Sequence, residues 1–480
     1  MKQTKIYLFL LAAFSVCIAA SCDDDEIITP IEETFTVYEE STFSKECDSG
    51  DEIDLNLTRV EDRGEGTGTM TWTRDRAWLL DGFVFVNEGQ TLTIEPGTIV
   101  KGISGQGERA SALIVARGAT IIAEGTADMP IIFTAESDQL FRDTDGNLCS
   151  AGGLSSGTRG LWGGMMVLGD AGLNSTPGET AIEGIPTTEP RGLYGGTNDA
   201  SNSGIIKYVS IRHGGTDIGA GNEINGLTMG GVGTGTTIEH VEVFANNDDG
   251  VEWFGGTVNT KYLAVSYCKD DGMDYDEGFR GMGQFWLVLQ EGTGDSGGEH
   301  DGGTDPETAE PFAIPVIYNA TYLGRDPDDE AAVRIRDNAG GKYFNSLFCN
   351  YQRGFRIEIL PDDQDSYKQF QDGNLEFTNN VFHNVGTLAV VENSNEDSPV
   401  SDAAEDAANA ALADYVANNN NVSVDNLDFV NRLVPATGTA LDGAGAAPAN
   451  SFFEAVDYKG AIKPGATNPW TSWTRLAEDL

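Results

Sequence analysis

The sequence predicts an all-β fold, a parallel β-solenoid built from stacked coils. Two neighbouring stretches, 238–256 and 260–278, align at a fixed offset of 22 residues that places Asp249 on Asp271. Each stretch is a short run of alternating apolar residues, an Asp-Asp-Gly corner and a second short run. A single coil of this kind cannot bury its own apolar face, so coils must stack with equivalent side chains above one another.

The composition is that of an acidic, glycine-rich chain. The 480 residues include 60 glycines, 29 basic and 76 acidic side chains, and the formal net charge is −47. This charge repels polyanions, so we expect no nucleic-acid partner, and it disfavours an anionic polysaccharide unless a cation bridges the two. Ca²⁺ is the first candidate cation because it prefers oxygen ligands. A solvated acidic surface without bound cations explains the net charge at least as well.

Residues 1–21 have the pattern of an export signal. Lys2 and Lys5 precede an apolar run that is too short for a membrane span and ends in small residues before Cys22. The pattern resembles a bacterial lipoprotein signal, which implies that Cys22 carries the lipid. The acidic run 23–26 resembles the surface-export signal of Bacteroidota lipoproteins, which implies an outer-membrane anchor with the protein at the cell surface. A periplasm-facing lipoprotein with an acidic tether is the alternative.

Regular strand patterning follows an acidic tether and N-terminal cap, predicted over 22–66 with a capping strand near 34–38. Two early coils, 83–96 and 112–125, align at an offset of 29 residues. A long insertion rich in Gly, Ser, Thr and Pro then separates them from the later coils, over 137–204. These segments predict stacked strands joined by corner loops of different lengths.

The strands resume at 205–215 and extend the predicted solenoid over 67–390. In the later coils Asn345 aligns with Asn379, and Asn350 aligns with Asn384. Stacked asparagines at solenoid corners are expected to hydrogen-bond each other and the backbone.

The C-terminal segment, 391–480, is expected to close the solenoid. Residues 401–419 have the composition of a helix, which would cover the open sheet edge of the last coil. Four aromatic residues are expected to pack against the solenoid flank: Phe452, Phe453, Trp470 and Trp473.

The cysteines leave the disulfide framework open. Beyond the signal and Cys22, four remain in what we expect to be an oxidising compartment: Cys47, Cys149, Cys268 and Cys349. Four cysteines allow three pairings, and the sequence does not choose among them. Cys268 and Cys349 lie on predicted strands, so two buried thiols are as plausible as a bridge.

The patterned region, about 70–390, resembles right-handed parallel β-helix proteins of the pectate-lyase-like (pectin lyase-like) superfamily. Its motifs TLTIEPGTIVKG, GLWGGMMVLGD, DDGVEWFGG and YKGAIKPG are similar to those of a group of Bacteroidota surface lipoproteins with unassigned activity. The resemblance implies a right-handed parallel β-helix and brings no known reaction with it.

Stacking of the two aligned coils would gather their acids into one patch. The candidate ligands of a Ca²⁺ site are Asp248, Asp249, Asp270, Asp271, Asp274, Asp276 and Glu277. Such a face favours a binding or structural role, with a neutral glycan or an outer-membrane protein such as a TonB-dependent transporter as partner. Trp253 and Tyr275, one coil apart, would suit a platform for sugar stacking, and filling of the interior is the alternative.

The same coils also resemble polygalacturonase-type glycoside hydrolases. Those enzymes carry Asn-x-Asp, Asp-Asp, Gly-His-Gly and Arg-x-Lys coils, and this chain has NNDDG, KDDG, EHDGG and RIR in that order. The resemblance implies that one carboxylic acid protonates the leaving oxygen and another activates water, with His300 assisting and Arg334 or Arg336 holding the sugar. The implied carboxylates are Asp249, Asp270 and Asp271. His300 lies between acids rather than glycines, and a polysaccharide lyase is less favoured because basic residues are sparse here.

Overall fold

The computed structural model is a parallel β-helix, which confirms the predicted fold class. It describes residues 5–7, 35–143, 145–150, 152–219, 222–290, 294–303, 306–325, 330–361, 364–394, 399–443, 445, 450–466, 470 and 473–479. The predicted lipidation site Cys22, and nearly all of the predicted export signal, lie outside these residues.

Within the described residues, one sheet of 29 strands winds around the molecule, and apart from its antiparallel N-terminal strands it forms three parallel ladders. Each coil crosses the ladders in the same order, and we name them face 1, face 2 and face 3 after that order. Face 1 contains Met70–Trp72, Thr91–Ile94, Thr120–Glu124, Met282–Gln284, Val316–Tyr318, Gly341–Phe344 and Leu375–Thr378. Face 2 contains Arg76–Leu80, Ile99–Gly102, Ile131–Ala135, Leu287–Leu289, Thr321–Leu323 and Val422–Val424.

Face 3 holds the strands that position the candidate site. They are Phe83–Val86, Ala112–Val115, Met165–Leu168, Leu227–Gly230, Val251–Phe254, Met273–Asp276, Glu299–Asp301 and Ala331–Arg336. Strands that bend from face 1 to face 2 are Gly204–Arg212, Thr237–Phe244 and Thr260–Ser266, and those that bend from face 2 to face 3 are Leu347–Ile359 and Val381–Asn393.

The interior is filled by apolar side chains that alternate along each strand. The predicted alignment is confirmed, because Val241 lies beside Leu263 and Val243 beside Val265 in adjacent strands of face 2. All four are buried. Indole rings stack along the axis as well, with the ring centres of Trp253 and Trp286 4.9 Å apart. Equivalent apolar side chains of adjacent coils therefore stack on each other. This stacking buries the apolar face that a single coil cannot bury alone.

Stacked columns also form at the corner between faces 1 and 2. Tyr208, His240, Tyr262 and Phe285 all have left-handed backbone conformations, and their ring centres are 4.3, 4.4 and 4.8 Å apart in sequence. In later coils asparagines take over this column. Asn379 Nδ2 donates to Asn345 Oδ1 at 2.6 Å, and at the next corner Asn384 Nδ2 donates to Asn350 Oδ1 at 3.0 Å. The predicted asparagine stacks are confirmed.

An antiparallel hairpin covers the N-terminal end of the solenoid. Its strands are Phe35–Glu46 and Glu52–Arg63, and the second pairs with the face 2 strand Arg76–Leu80. The hairpin is longer than the single strand expected near 34–38. A strand at Lys5–Tyr7 pairs with its outer edge. A disulfide joins Cys47 to Cys149 and so fastens the hairpin to the insertion, while Cys268 and Cys349 are free and buried.

Besides the face 3 strand Met165–Leu168, the described part of the insertion adds two small antiparallel sheets, the first beside the hairpin and face 2 and the second over face 3. The sheets pair Phe141–Arg142 with Leu148–Ser150 and Thr180–Ala181 with Leu193–Tyr194. Short 3₁₀ turns occur at Gly107–Arg109, Pro190–Gly192 and Leu476–Asp479. Ile182 and Tyr194 of the insertion pack on Phe254 of face 3 and thereby build one wall of a groove along that face.

The C-terminal segment covers the other end and one flank. A short helix, Ser366–Gln371, precedes the main helix Asp402–Asn418, whose Ala408 and Leu412 join the core. Trp473 lies against Tyr208 at the corner of faces 1 and 2, so the expected aromatic flank is confirmed. None of the helices in the described part of the chain combines the length and the apolar composition of a membrane span.

Candidate functional site

The acidic corners of the two aligned coils lie side by side between faces 2 and 3. Adjacent strands of face 3 place Glu252 beside Asp274 and Trp253 beside Tyr275. Gly250 and Gly272 allow the close approach, because a Cβ at Gly250 would lie 2.2 Å from Val265 and one at Gly272 2.5 Å from a backbone oxygen. The recurring Asp-Asp-Gly sequence is therefore a requirement of tight stacking as well as a source of charge.

The second aspartate of each corner holds the backbone of the next coil. Asp249 Oδ1 accepts a hydrogen bond of 2.8 Å from the amide of Asp271, and Asp271 Oδ1 accepts one of 2.6 Å from the amide of Ser296. Both carboxylates are buried, at 7% and 4% exposure. Asp249 and Asp271 therefore have a structural role in the stack, and the catalytic role that the hydrolase resemblance implies for them stays a prediction.

Carboxylates from successive corners converge into three overlapping groups. Within each group one oxygen per residue lies within 4.8 Å of the others. The groups are Asp248, Asp249 and Asp270; Asp249, Glu252 and Asp274; and Asp270, Asp271 and Asp295. We call these seven residues the acidic cluster. Asp270 is exposed and Asp248 is half-buried, so the cluster opens to solvent through them.

Burial and mutual repulsion raise the pKa values of six carboxyl groups of the acidic cluster: Asp248, Asp249, Glu252, Asp270, Asp271 and Asp274. Burial is the largest cause for Asp248, whose pKa is raised to about 7, and the charge of Asp270 adds to it. The pKa values of Asp249, Glu252, Asp271 and Asp274 are raised well above the ordinary carboxyl value, again chiefly by burial. Ionisation of these groups is therefore costly unless a positive charge accompanies it.

The chain itself supplies little positive charge here. Among the described residues, no lysine or arginine forms an ion pair with Asp248, Glu252, Asp270 or Asp274. Asn225 Nδ2 donates to Glu252, but Asp274 Oδ1 is buried and has no hydrogen-bond partner. Such a group costs about 1–3 kcal/mol unless something else satisfies it.

Within each of the three groups, the spacing of the carboxylate oxygens fits one oxygen-ligated cation. Ca²⁺ binds oxygens at about 2.3–2.6 Å, so two of its ligands are at most about 5 Å apart. The 4.8 Å limit within each group satisfies this condition. The two carboxyl groups of an inverting glycosidase, by contrast, are about 6.5–9.5 Å apart, because a water molecule must fit between them and the sugar.

Further along face 3 the acids are paired with arginines. Glu299 contacts Arg334 at 2.9 Å and Arg336 at 2.9 Å, and Arg336 Nε contacts Asp301 at 2.8 Å. The pKa of Glu299 is nevertheless raised to about 6, because burial and Asp301 outweigh the two arginines. Arg334 thus lies on face 3, one strand beyond Glu299, with its guanidinium engaged by that carboxylate.

Three aromatic assignments made from the sequence are wrong. Trp253, Tyr275 and His300 are each 0% exposed and lie inside the solenoid. The Tyr275 ring stacks on the imidazole of His300 with centres 3.9 Å apart. Burial lowers the pKa of His300 well below its usual value. A sugar platform at Trp253 and Tyr275, and a catalytic role for His300, are excluded because no substrate reaches these side chains.

The predicted set of metal ligands is partly assembled. Five of its seven residues belong to the acidic cluster, whereas Asp276 and Glu277 lie outside it. Glu277 Oε2 instead accepts a hydrogen bond of 2.6 Å from the Tyr194 hydroxyl. Sequence reasoning missed Glu252, although it aligns with Asp274 at the 22-residue offset, and Asp295, which lies in an irregular loop without such an offset.

The comparisons with known proteins bear on the fold. The sequence model described as "Pectate-lyase like beta helix domain" matches residues 64–426. No curated protein matches the chain. Among solved structures, the catalytic domain of a GH87 alpha-1,3-glucanase in complex with tetrasaccharides is similar, at 9% identity and a TM-score of 0.32. The similarity covers 68% of this chain and 64% of the glucanase chain, so this chain spans less than two thirds of that structure.

Proposed function

The chain belongs to the pectate-lyase like β-helix domain family, and from that premise we propose that it is a surface lipoprotein that binds Ca²⁺ at the acidic cluster. One observation carries the proposal: carboxylate oxygens of Asp248, Asp249 and Asp270 lie within 4.8 Å of one another. In the described chain no lysine or arginine forms an ion pair with these three residues. Carboxylates held this close are stabilised by a bound divalent cation, which supplies the missing positive charge.

The bound cation would join the protein to an extracellular glycan. Along face 3, Glu299 and Asp301 lie one strand beyond Asp274 and pair with Arg334 and Arg336, and these charged side chains would offer hydrogen-bonding groups to sugar hydroxyls. A cation at the cluster coordinates hydroxyl or carboxylate oxygens of the glycan as well as those of the protein. The preferred partner is a neutral polysaccharide, because the net charge of −47 repels an anionic one. A TonB-dependent transporter is the candidate protein partner.

The membrane attachment rests on the sequence. The export signal of residues 1–21 and the acidic run after Cys22 support a lipid anchor in the outer membrane. Replacement of Cys22 by serine should release the protein from the membrane fraction. Protease treatment of intact cells then distinguishes the two locations. Digestion of the protein would support the cell surface, and full protection from the protease would support the periplasm.

Thermal unfolding tests the cation site. A ligand that binds only the folded state stabilises it by about 2.7 kcal/mol at a 100-fold excess over its Kd, so Ca²⁺ added after EDTA treatment should raise Tm. Asp270→Asn should abolish most of this rise. The matched control is Glu124→Gln, an exposed carboxylate on face 1. No change in Tm at millimolar Ca²⁺ would contradict the proposal.

A glycoside hydrolase acting on extracellular polysaccharide is the second candidate. One observation favours it: the pKa of Asp248 is raised to about 7, and the exposed Asp270 lies beside it. Glycosidases use such a pair, because one carboxyl group must be protonated while the other is ionised. Asp248 would act as the acid and Asp270 as the nucleophile of a retaining mechanism, which suits carboxyl groups this close together. Release of reducing sugars from a polysaccharide panel, lost in both Asp248→Asn and Asp270→Asn, would support it, and the absence of turnover would remove it.

A further inference from the structure

A second feature of face 3 is a cavity between the insertion and the solenoid. Its volume is about 670 Å³, within the range of about 300–1,000 Å³ that small-molecule sites occupy. The insertion contributes one wall, 180–187, together with Tyr194. The solenoid contributes Phe83 and Phe254 from two strands of face 3.

The lining of this cavity combines apolar walls with negative charge. Ile182, Ile185 and Ile218 add to the aromatic side chains, and the charged side chains among the lining residues are Glu183 and Glu277. The described lining residues include no lysine, arginine or histidine. Glu183 is exposed at the cavity wall, and the described chain shows no ion pair to either carboxylate.

Glu277 is held in a backbone conformation that glutamate disfavours. Its φ is +52°, and the equivalent corner positions of the two preceding coils are Gly231 and Gly255, with φ of +57° and +63°. A left-handed conformation costs a residue with a Cβ about 1–2 kcal/mol. The Tyr194 hydroxyl donates to Glu277 Oε2 at 2.6 Å and so fixes the carboxylate at the cavity wall. A carboxylate thus occupies a corner where its neighbours use glycine.

We propose that this cavity binds a ligand that carries a primary ammonium group on a ring with apolar C–H faces, the chemistry of an amino sugar. Glu183 and Glu277 form charge-assisted hydrogen bonds to the ammonium group. Phe83 and Phe254 cover the C–H faces of the ring, and their π-faces also favour a nearby cation.

Other ligand classes fit this lining poorly. An anion such as a uronate or phosphate meets two carboxylates and no basic side chain, so it is repelled. A purely apolar ligand would strip water from Glu183 and Glu277 without replacing their hydrogen bonds. A neutral sugar fits the walls but leaves both charges without a counter-charge. The ammonium group is the feature that distinguishes the proposed ligand from these.

Calorimetric titration with two oligosaccharides tests this proposal. The probes are the tetramer of glucosamine and the tetramer of N-acetylglucosamine, which differ in the charge of their amino groups. The full chain is used in EDTA and about 150 mM salt, conditions that remove Ca²⁺ and screen long-range attraction. Because no divalent cation is present, the outcome is independent of the cation site proposed above.

We expect the glucosamine tetramer to bind at least tenfold more tightly than its acetylated counterpart. Glu183→Gln and Glu277→Gln should each weaken binding about tenfold, whereas Glu124→Gln on face 1 should leave it unchanged. Equal affinity for the two tetramers, or no binding of the glucosamine tetramer, would overturn the proposal. Equal losses in Glu183→Gln and Glu124→Gln would also overturn it, because attraction to the acidic surface as a whole would then account for binding. An unchanged Tm of each variant verifies its fold.

Discussion

Asp249 Oδ1 accepts a 2.8 Å hydrogen bond from the backbone amide of Asp271, its own equivalent one coil further along the solenoid. The same relationship recurs between Asp271 Oδ1 and the amide of Ser296. The inner aspartates thus stabilise the stack of coils, while the neighbouring Asp248 and Asp270 face the solvent side of the corner. One short motif therefore serves both the fold and the candidate cation site.

Two substitutions of Asp249 should distinguish the contribution of its hydrogen bond to stability from that of its charge. Asp249→Asn keeps an oxygen that accepts from the Asp271 amide and removes a buried carboxyl group, so we expect little loss of stability at neutral pH. Asp249→Ala leaves that buried amide without a partner, which should lower the free energy of unfolding by about 1–3 kcal/mol. Denaturant unfolding of both variants measures the difference, and equal losses would contradict the structural role.

The stability of the cation-free protein should fall as pH rises from about 4, near the unfolded pKa of an aspartate, to about 7.5. A carboxyl group whose pKa is raised on folding contributes stability that is fully present below its unfolded pKa and is lost as pH rises through its folded pKa. The folded pKa of Asp248 is about 7, so its contribution is lost inside this window. Thermal melts in EDTA should show the fall, and Asp248→Asn should flatten it. A Tm that rises with pH would contradict the assignment.

The contribution of Asn345 to the free energy of unfolding should depend on both its left-handed backbone conformation and its side-chain hydrogen bonds. Asn345 has a φ of +52° and accepts from Asn379 Nδ2 at 2.6 Å and from the Gly445 amide at 3.1 Å. Asn345→Ala removes these acceptors and strains the backbone, which should cost about 2–4 kcal/mol. Asn345→Gly removes only the hydrogen bonds and should cost less. Equal unfolding free energies for the two variants would show that the left-handed backbone contributes nothing.

The disulfide should stabilise the N-terminal cap. Cys47 and Cys149 are 102 residues apart, and closing a loop of that length stabilises a protein by about 2–5 kcal/mol through the unfolded chain. Cys149→Ser should therefore lower Tm, and a reductant should lower the Tm of the unaltered protein but leave that of the variant unchanged. Cys47→Ser provides the matched variant, since it breaks the same bridge and should lower Tm by a similar amount. A variant as stable as the unaltered protein would show that the bridge contributes nothing.

The sequence predicted the stacking of coils because equivalent side chains recur at the 22-residue offset. It also predicted that Asp248, Asp249, Asp270 and Asp271 come together, which follows from register alone. For Trp253 it left a sugar platform and filling of the interior as alternatives. The alternation of side chains along a strand favours the interior, because an outward Glu252 requires an inward neighbour. The same alternation places Tyr275 and His300 inside the solenoid.

Features built from irregular segments had no comparable pattern. Asp295 reaches the acidic cluster from a loop, and the cavity wall at 180–187 comes from an insertion without strand periodicity. The pairing of Cys47 with Cys149 likewise depends on how the insertion folds back over the hairpin. Long-range contacts of this kind are set by tertiary packing, so composition and spacing do not determine them.

The central claim is that the acidic cluster binds a divalent cation, and calorimetric titration of EDTA-treated protein with Ca²⁺ tests it most directly. Saturable binding that is at least tenfold weaker in Asp270→Asn, and unchanged in Glu124→Gln, is the predicted result. Absence of saturable binding, or an affinity that is equal in all three proteins, would contradict the claim.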